Sequence, residues 1–408
     1  MYNDCMPYLV NPKGRIVAID DELQFREWLK KGQYREATAE EIQHHQDNLK
    51  AFLKSQEIAK NKDKMAGGIY LATVSQGGKD GYGIASAKML SELRKLEMPI
   101  SLHNEGQKIG VLFHNPYSIS KLDNDFRVIY TMFESDKLPD DWQQHLEQAD
   151  MVIVPSKWCK NVFAKAGITA KVVPLGYDHH VFKYVERKVK RKQRKDFVFL
   201  HYNAFNVRKG FQEVWQAFNK AFDKNEPVKL VLKTTLERIP LPITKREYPN
   251  VEIIKGRMTD NDLARLCANS DCFVFPSRGE GFGMTPLEAM ATGMPAIVPN
   301  AHGITEYFNP KYMYEAKVKE TCPAIYSRYK NQDVGKMVVC DVDDLAQKMR
   351  YAYEHQEENL EMGKGAAEYV KKWTYQNTAK QLFDIFQDVL SKPMPERALH
   401  NTLQIEAF

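Results

Sequence analysis

Two carboxylates, Glu280 and Glu288, stand eight positions apart in Ser277-Arg278-Gly279-Glu280-Gly281-Phe282-Gly283-Met284-Thr285-Pro286-Leu287-Glu288-Ala289-Met290-Ala291. The glycines around Glu280 let a backbone approach a ligand closely. Leu287 to Ala291 are strong helix formers, so a helix starts within the stretch. A helix start offers unpaired amides and partial positive charge, which suit a phosphate. The amides of Gly281, Phe282, Gly283 and Met284 are the phosphate-side candidates. Thr285 reads equally as a helix N-cap or as a direct phosphate contact. A carboxylate accepts two donors from a vicinal diol, so a ligand carrying both phosphates and sugar hydroxyls fits this stretch. A nucleotide sugar is such a ligand. Upstream, Val207-Arg208-Lys209-Gly210 puts two cations at a loop-to-helix junction, where they could neutralise a leaving diphosphate.

The long pattern Gly-Glu-Gly-Phe-Gly, then Pro-Leu-Glu-Ala-Met-Ala-x-Gly-x-Pro, with its Glu-x7-Glu spacing, resembles the retaining glycosyltransferases of family four, the glycosyl transferases group 1, in a phage-like form. The resemblance covers residues 66–390 and is strongest in the second half. It implies the GT-B architecture: two Rossmann-like α/β lobes facing across a cleft. It implies that Glu288 accepts from the ribose and that Glu280 faces the transferred sugar as the catalytic carboxylate. Lys209 and Arg208 become the diphosphate clamp. The upstream position where the family often carries Arg reads Ala204 here, so the second cation must be Arg208 or come from elsewhere. Met258, in Gly256-Arg257-Met258, falls where the family packs its nucleobase, although these side chains do not encode which base. The donor expected is a nucleoside-diphosphate sugar, first of all a UDP-sugar. His302-Gly303-Ile304-Thr305-Glu306 resembles a further donor-side segment, with Glu306 structural.

On the other lobe, Gly78 and Gly81 belong to a glycine-rich first loop, Gly77-Gly78-Lys79-Asp80-Gly81-Tyr82-Gly83. The resemblance brings Gly78 to the donor and Gly81 to the acceptor side, and a generic Rossmann turn is the plainer reading. His114 ends an apolar run and is the first candidate for a polar catalytic group at the cleft edge, against the common structural histidine. Glu134 also ends a run and is an acceptor-side candidate. Lys233 ends another strand and is a possible further cation for the clamp, against the plainer reading of a surface lysine. No Asp-x-Asp motif stands where a divalent ion would be needed, and Asp341-Val342-Asp343-Asp344 reads as helix capping. The expectation is a transfer without metal or cofactor. A same-face displacement and a covalent route through a carboxylate both remain open.

The elements that must position these residues alternate. Apolar runs at 69–74, 109–113, 126–132, 151–154 and 172–175 are strand candidates, and a helix is expected over 84–96. The series restarts with strands at 197–202, 228–233, 251–254, 271–275 and 296–298, and with helices over 210–224 and 260–268. Helices at 343–354, 361–372 and 375–390 close the chain, the last expected to cross back onto the first lobe. Strands separated by helices make parallel sheets with ligands at their carboxyl ends. The expected division is an accessory segment 1–64, an acceptor lobe 65–190, a donor lobe 191–374 and a crossing helix 375–408. Residues 1–64 read as an extended pair turning at Pro12-Lys13-Gly14, a helix over 21–31 and a second helix opening at Thr38-Ala39-Glu40-Glu41 with a capping-box pattern and running to about Lys60. This segment somewhat resembles short N-terminal modules of bacteriophage proteins.

The 408 residues, 43% hydrophobic and 27% charged, suit a soluble globular protein of two domains. No apolar stretch reaches membrane-helix length, and no secretory signal is visible. Six scattered cysteines lack metal-ligand spacing, and a reducing, cytoplasmic location is expected. The net charge of +5 is concentrated in a run over 187–195, with seven basic residues in nine. That run is either a solvated linker or a contact for a polyanion. The acceptor readings divide accordingly: hydroxymethylated bases in phage DNA, or a glycan, lipid or protein. A sugar-nucleotide-binding protein without turnover and a phosphorylase are the alternatives of a different kind.

Overall fold

The computed structural model describes residues 8–11, 16–18, 26, 29–30, 32, 34–48, 68–72, 81–189, 196–203, 206–236, 248–329 and 332–394. The chain divides into two compact units, Met1–Ala66 and Gly67–Phe408. In the first unit, β1 (Tyr8–Val10) pairs antiparallel with β2 (Ile16–Ala18) and with β3 (Arg35–Glu36). The turn residues Pro12 to Gly14 lie outside the described residues, as do most of 21–31 and all of 49–60. The capping box forms: the Glu41 amide donates to Thr38 Oγ1 at 3.2 Å, and the Thr38 amide donates to Glu41 Oε2 at 2.9 Å. Arg35 then pairs with Glu41 at 2.6 Å.

The second unit holds two six-stranded parallel sheets. In the first lobe the strands are β4 (Ile69–Ala72), β5 (Ile100–Ser101), β6 (Ile109–Phe113), β7 (Phe126–Tyr130), β8 (Met151–Val154) and β9 (Ala170–Val172), in the order β5-β4-β6-β7-β8-β9. Every residue of β6 is buried, as expected for a central parallel strand covered on both faces. In the second lobe β10 (Phe197–Asn203), β11 (Val228–Thr234), β12 (Val251–Ile254), β13 (Cys272–Val274), β14 (Ala296–Val298) and β15 (Met313–Glu315) run in the order β12-β11-β10-β13-β14-β15.

Three expectations shift. Pairing with β8 uses Ala170–Val172 rather than 172–175. The helix expected from Ile84 starts at Gly81, giving α1 (Gly81–Lys95), and Gly78 lies outside the described residues. The helix expected over 361–372 begins earlier, at Gln356, and ends in a 3-10 turn over Val370–Lys372. Asp341 caps the preceding helix, its carboxylate accepting from the amides of Asp343 and Asp344.

Two of the attachments between the lobes, besides the chain between β9 and β10, are packed segments of the second lobe. The last helix, Tyr375–Leu390, packs back on the first lobe, where Leu382 and Phe386 meet Ile69, Leu71 and Met89. The second attachment was not foreseen. A hairpin, β16 (Val318–Pro323) and β17 (Lys336–Cys340), leaves the second lobe, and Ala324, Val334 and Met337 enter the first-lobe core beside Phe133 and Trp142. Tyr117 donates to the Tyr329 hydroxyl at 3.2 Å, and Trp142 Nε1 donates to it at 3.1 Å. Ser135 donates to the Val334 carbonyl at 2.5 Å. Among the described residues, no helix is long and apolar enough to cross a membrane.

Candidate active site

Glu280 follows β13 on a loop pressed against the first lobe. A Cβ on Gly281 would lie 2.7 Å from the Met132 Cβ, so only glycine permits this approach. Ser156 Oγ, capping the first-lobe helix α2 (Lys157–Lys165), donates to the Gly281 carbonyl at 2.8 Å. Gly283 then takes φ +89° and opens the helix Met284–Ala291, so the N-cap is Gly283 and not Thr285. The Thr285 hydroxyl is buried without a hydrogen-bond partner, which leaves it able to meet an incoming oxygen. Phe282 contributes its side chain to the core, 1% exposed and edge-on to Tyr307. The Met284 sulfur accepts from the Tyr375 hydroxyl at 2.9 Å.

The Glu280 carboxylate is 6% exposed. Lys209 donates to it at 2.6 Å, Ser277 Oγ at 2.6 Å, and the Arg208 guanidinium lies 3.3 Å away. Burial pushes the carboxyl up, but Lys209 and Arg208 outweigh it and hold the group at about 2. Both cations are set by a 3-10 turn, Val207–Lys209, whose N-cap Asn206 accepts from the Lys209 amide. Arg208 also reaches across to Glu134, at 3.4 Å, and Tyr326 of the hairpin loop donates to that same carboxylate at 3.4 Å. Glu134 thereby meets the Arg208 cation from the opposite lobe.

Glu288 lies one turn into the helix and accepts from the Tyr202 hydroxyl at 2.7 Å. Burial raises its carboxyl to about 7. Close by, Lys88 of α1 bridges Asp178 at 2.7 Å and Asp260 at 2.6 Å, linking the two lobes. Gly81 also faces the second lobe, a Cβ there meeting the Met284 terminal methyl at 4.0 Å. Met258 is half-buried in the turn between β12 and the helix Asp260–Ala268. His114 ends β6 and packs against the Tyr82 ring, centroids 5.0 Å apart. Tyr82 in turn donates to the Met132 carbonyl at 3.0 Å. His114 is thus connected to the Glu280 loop through Tyr82 and Met132 rather than bonded to it.

Several site residues escaped the sequence reading. Lys233, read as a surface lysine, is 6% exposed. The polar tail of a strand looks solvated in sequence, but β11 lies between two other strands. His302 is buried at φ +43°, its Nε2 on the Ser277 carbonyl at 3.0 Å and its Nδ1 without a partner. Burial lowers this imidazole to about 4. Its segment had been singled out, but nothing in the sequence marked the left-handed backbone. Glu306 accepts from the Lys157 amide at 2.8 Å. Arg187, first in the basic run, is largely buried and donates to the carbonyls of Ser270, Cys267 and Thr292, so it is no free contact for a polyanion.

A parallel sheet with a phosphate-suited helix start, a buried carboxylate between two cations and a facing second lobe defines a nucleotide-dependent group-transfer enzyme. The glycosyl transferases group 1 profile matches residues 183–321. Residues 183–321 thus resemble the glycosyl transferases group 1, and the two-lobed fold is that of the GT-B glycosyltransferases. It is 24% identical over 241 residues to the ORF313 product of Acidianus filamentous virus 1, provisionally named a glycosyltransferase, covering 58% of this chain and 72% of that one. It is 27% identical over 148 residues to mannosylfructose-phosphate synthase of Agrobacterium fabrum, covering 32% of each. The chain therefore spans only about a third of that second relative. Among solved structures it resembles HepE of Anabaena in complex with UDP and glucose, with TM-score 0.56 and 14% identity over 78% of this chain and 99% of that one. Sucrose-phosphate synthase from Thermosynechococcus elongatus gives TM-score 0.55 and 17% identity over 71% and 75%.

Proposed function

We propose that the chain transfers a sugar from a nucleoside-diphosphate sugar, a UDP-sugar in the first instance, to a hydroxyl acceptor with retention of configuration. The observation that carries this reading is the buried, ionised Glu280 held between Lys209 and Arg208 at the carboxyl edge of the second sheet. The functional division is an acceptor lobe over 65–190, a donor lobe over 191–374 and a crossing helix over 375–408, with residues 1–64 as an accessory segment.

In this reading Lys209 and Arg208 take the diphosphate, with the amides of Gly281 to Met284 and the Thr285 hydroxyl around its distal oxygens. Glu288 accepts from the ribose diol, and Met258 lies beside the base. Gly78 and Gly81 approach the donor and acceptor from the first lobe. In the transfer, the bond from the anomeric carbon to the phosphate oxygen breaks and the acceptor oxygen bonds to that carbon on the same face. The acceptor proton passes to the departing phosphate. Glu280 favours the positive charge that develops on the sugar, and the two cations stabilise the leaving group. His114 and Glu134 stand on the acceptor side.

The acceptor assigned is a hydroxymethylated base in viral DNA, supported by the basic run beyond Arg187 and by the viral source of several relatives. Such an enzyme would turn the base out of the helix to reach it. Incubation with a panel of nucleotide sugars, each with modified and unmodified DNA and with glycan acceptors, tests both parts. Labelled sugar on modified DNA alone is the expected outcome. Transfer only to a glycan removes the DNA acceptor, and hydrolysis or binding without any transfer removes the transferase reading.

A further inference from the structure

Lys233 stands near the end of β11, with its ammonium 2.7 Å from the Gly256 carbonyl and 3.3 Å from that of Thr234. Neither acceptor carries a formal charge. Among the described residues, no carboxylate lies within ion-pairing distance of it. Burial accordingly pulls the ammonium below its usual range. A buried ammonium without a counter-charge costs stability, and three N–H groups share two carbonyls. One donor remains for a partner that no described residue supplies.

The sheet order shows where that donor lies. In parallel register Lys233 stands beside Tyr202 on one side and Ile254 on the other. Register partners share a face of the sheet, and Tyr202 is the residue that donates to Glu288. The carboxyl edge therefore presents, in spatial order, Glu280 after β13, Lys209 after β10, Lys233 on β11 and Gly256 after β12. A nucleotide laid along this edge, with its diphosphate at Lys209 and its ribose at Glu288, carries its base onward to Lys233.

We propose that Lys233 selects the nucleobase, donating its remaining N–H to an exocyclic carbonyl oxygen. Uracil and guanine carry such an oxygen, whereas adenine presents an amino donor at the corresponding edge, and an ammonium has nothing to accept with. This rests on the donor-lobe reading above and goes beyond it by assigning the class of base.

The test is calorimetric binding of UDP, GDP and ADP to the full chain and to Lys233→Met, with Lys233→Leu used under the same criteria if the first variant does not fold. The wild type should bind UDP or GDP at least about 10-fold more tightly than ADP. Lys233→Met should weaken that preferred nucleotide by roughly 10- to 100-fold, the range of a charge-assisted hydrogen bond, and leave ADP within about 2-fold. Equal binding of all three by the wild type overturns the role of Lys233 while keeping the donor lobe. So does a variant that retains the preference, or one that weakens all three nucleotides alike, as a structural lysine would. Binding of none of the three overturns the donor-lobe reading and this inference together.

Discussion

Replacing Glu280 by glutamine keeps the shape of the side chain and removes the charge that neutralises Lys209 and Arg208. Glu280, Glu134, Lys209 and Arg208 form a cluster of zero net charge, so the variant cluster carries one positive charge. The native carboxyl is held at about 2 against an ordinary 4.5, which by linkage corresponds to about 3 kcal/mol of stability at neutral pH. Removing one member of a buried pair costs about 3–5 kcal/mol, the same order. The sign follows from a depressed carboxyl: this stability is present above pH 4.5 and is lost as the pH falls toward about 2. Glu280→Gln should therefore lower unfolding stability by about 3 kcal/mol at pH 7 and flatten the acid limb between those two values. A diphosphate restores the missing negative charge, so UDP should stabilise the variant more than it stabilises the wild type. Transfer should nonetheless fall by about 100-fold or more, since stabilisation of the developing charge is gone. Urea denaturation across pH, with and without UDP, and an initial-rate assay measure all three. A variant as stable as the wild type at pH 7 with the same acid limb would refute the electrostatic argument, and normal turnover would refute the catalytic assignment.

Other perturbations separate the remaining parts of the site. Glu288 is raised to about 7 by burial, so its contribution is full below pH 4.5 and is lost as the pH rises through 7. Glu288→Gln should thus gain up to about 3 kcal/mol relative to the wild type at pH 8 but not at pH 4.5, read by thermal unfolding at each pH. In the wild type, donor KM should rise as the pH falls through about 7, because the ribose needs the ionised carboxylate, and Glu288→Gln should lack that rise. Gly281→Ala forces a methyl into the contact with Met132, and overpacking of this kind costs about 1–3 kcal/mol. Reduced urea midpoint and reduced transfer should appear together, and unchanged stability would show that the lobes part freely there. Tyr329→Phe removes the hydroxyl that accepts from Tyr117 and Trp142. It should cost about 1 kcal/mol and raise hydrogen exchange in the hairpin loop, measured by mass spectrometry.

The sheets were legible because their strands are short apolar runs between helices, and Ile109–Phe113 or Cys272–Val274 could be little else. The donor stretch was legible because glycines and carboxylates at fixed spacing are local features. What escaped reading depends on distant contacts. The strand Val318–Pro323 is mostly exposed and has no alternation of apolar residues. The hairpin's hold on the first lobe comes from Ala324, Val334 and Met337, scattered outside any pattern. Lys233 escaped for the opposite reason, since the neighbours that bury it belong to other strands. Gly283 took the cap that Thr285 seemed equipped to fill, because the chain there needs a positive φ that glycine adopts without strain.

The docked hairpin has a consequence for how the cleft can move. A body attached to another at a single place can turn about any axis through that place. Here the second lobe grips the first through the helix Tyr375–Leu390 and, separately, through the loop between β16 and β17. While both grips hold, turning is confined toward the line joining them, and it must also break the bonds of Ser156 with Gly281 and of Lys88 with Asp260. Any wider opening must also pull Val334 and Tyr329 from their seats, so the rate at which the cleft exchanges its contents depends in part on the strength of that contact.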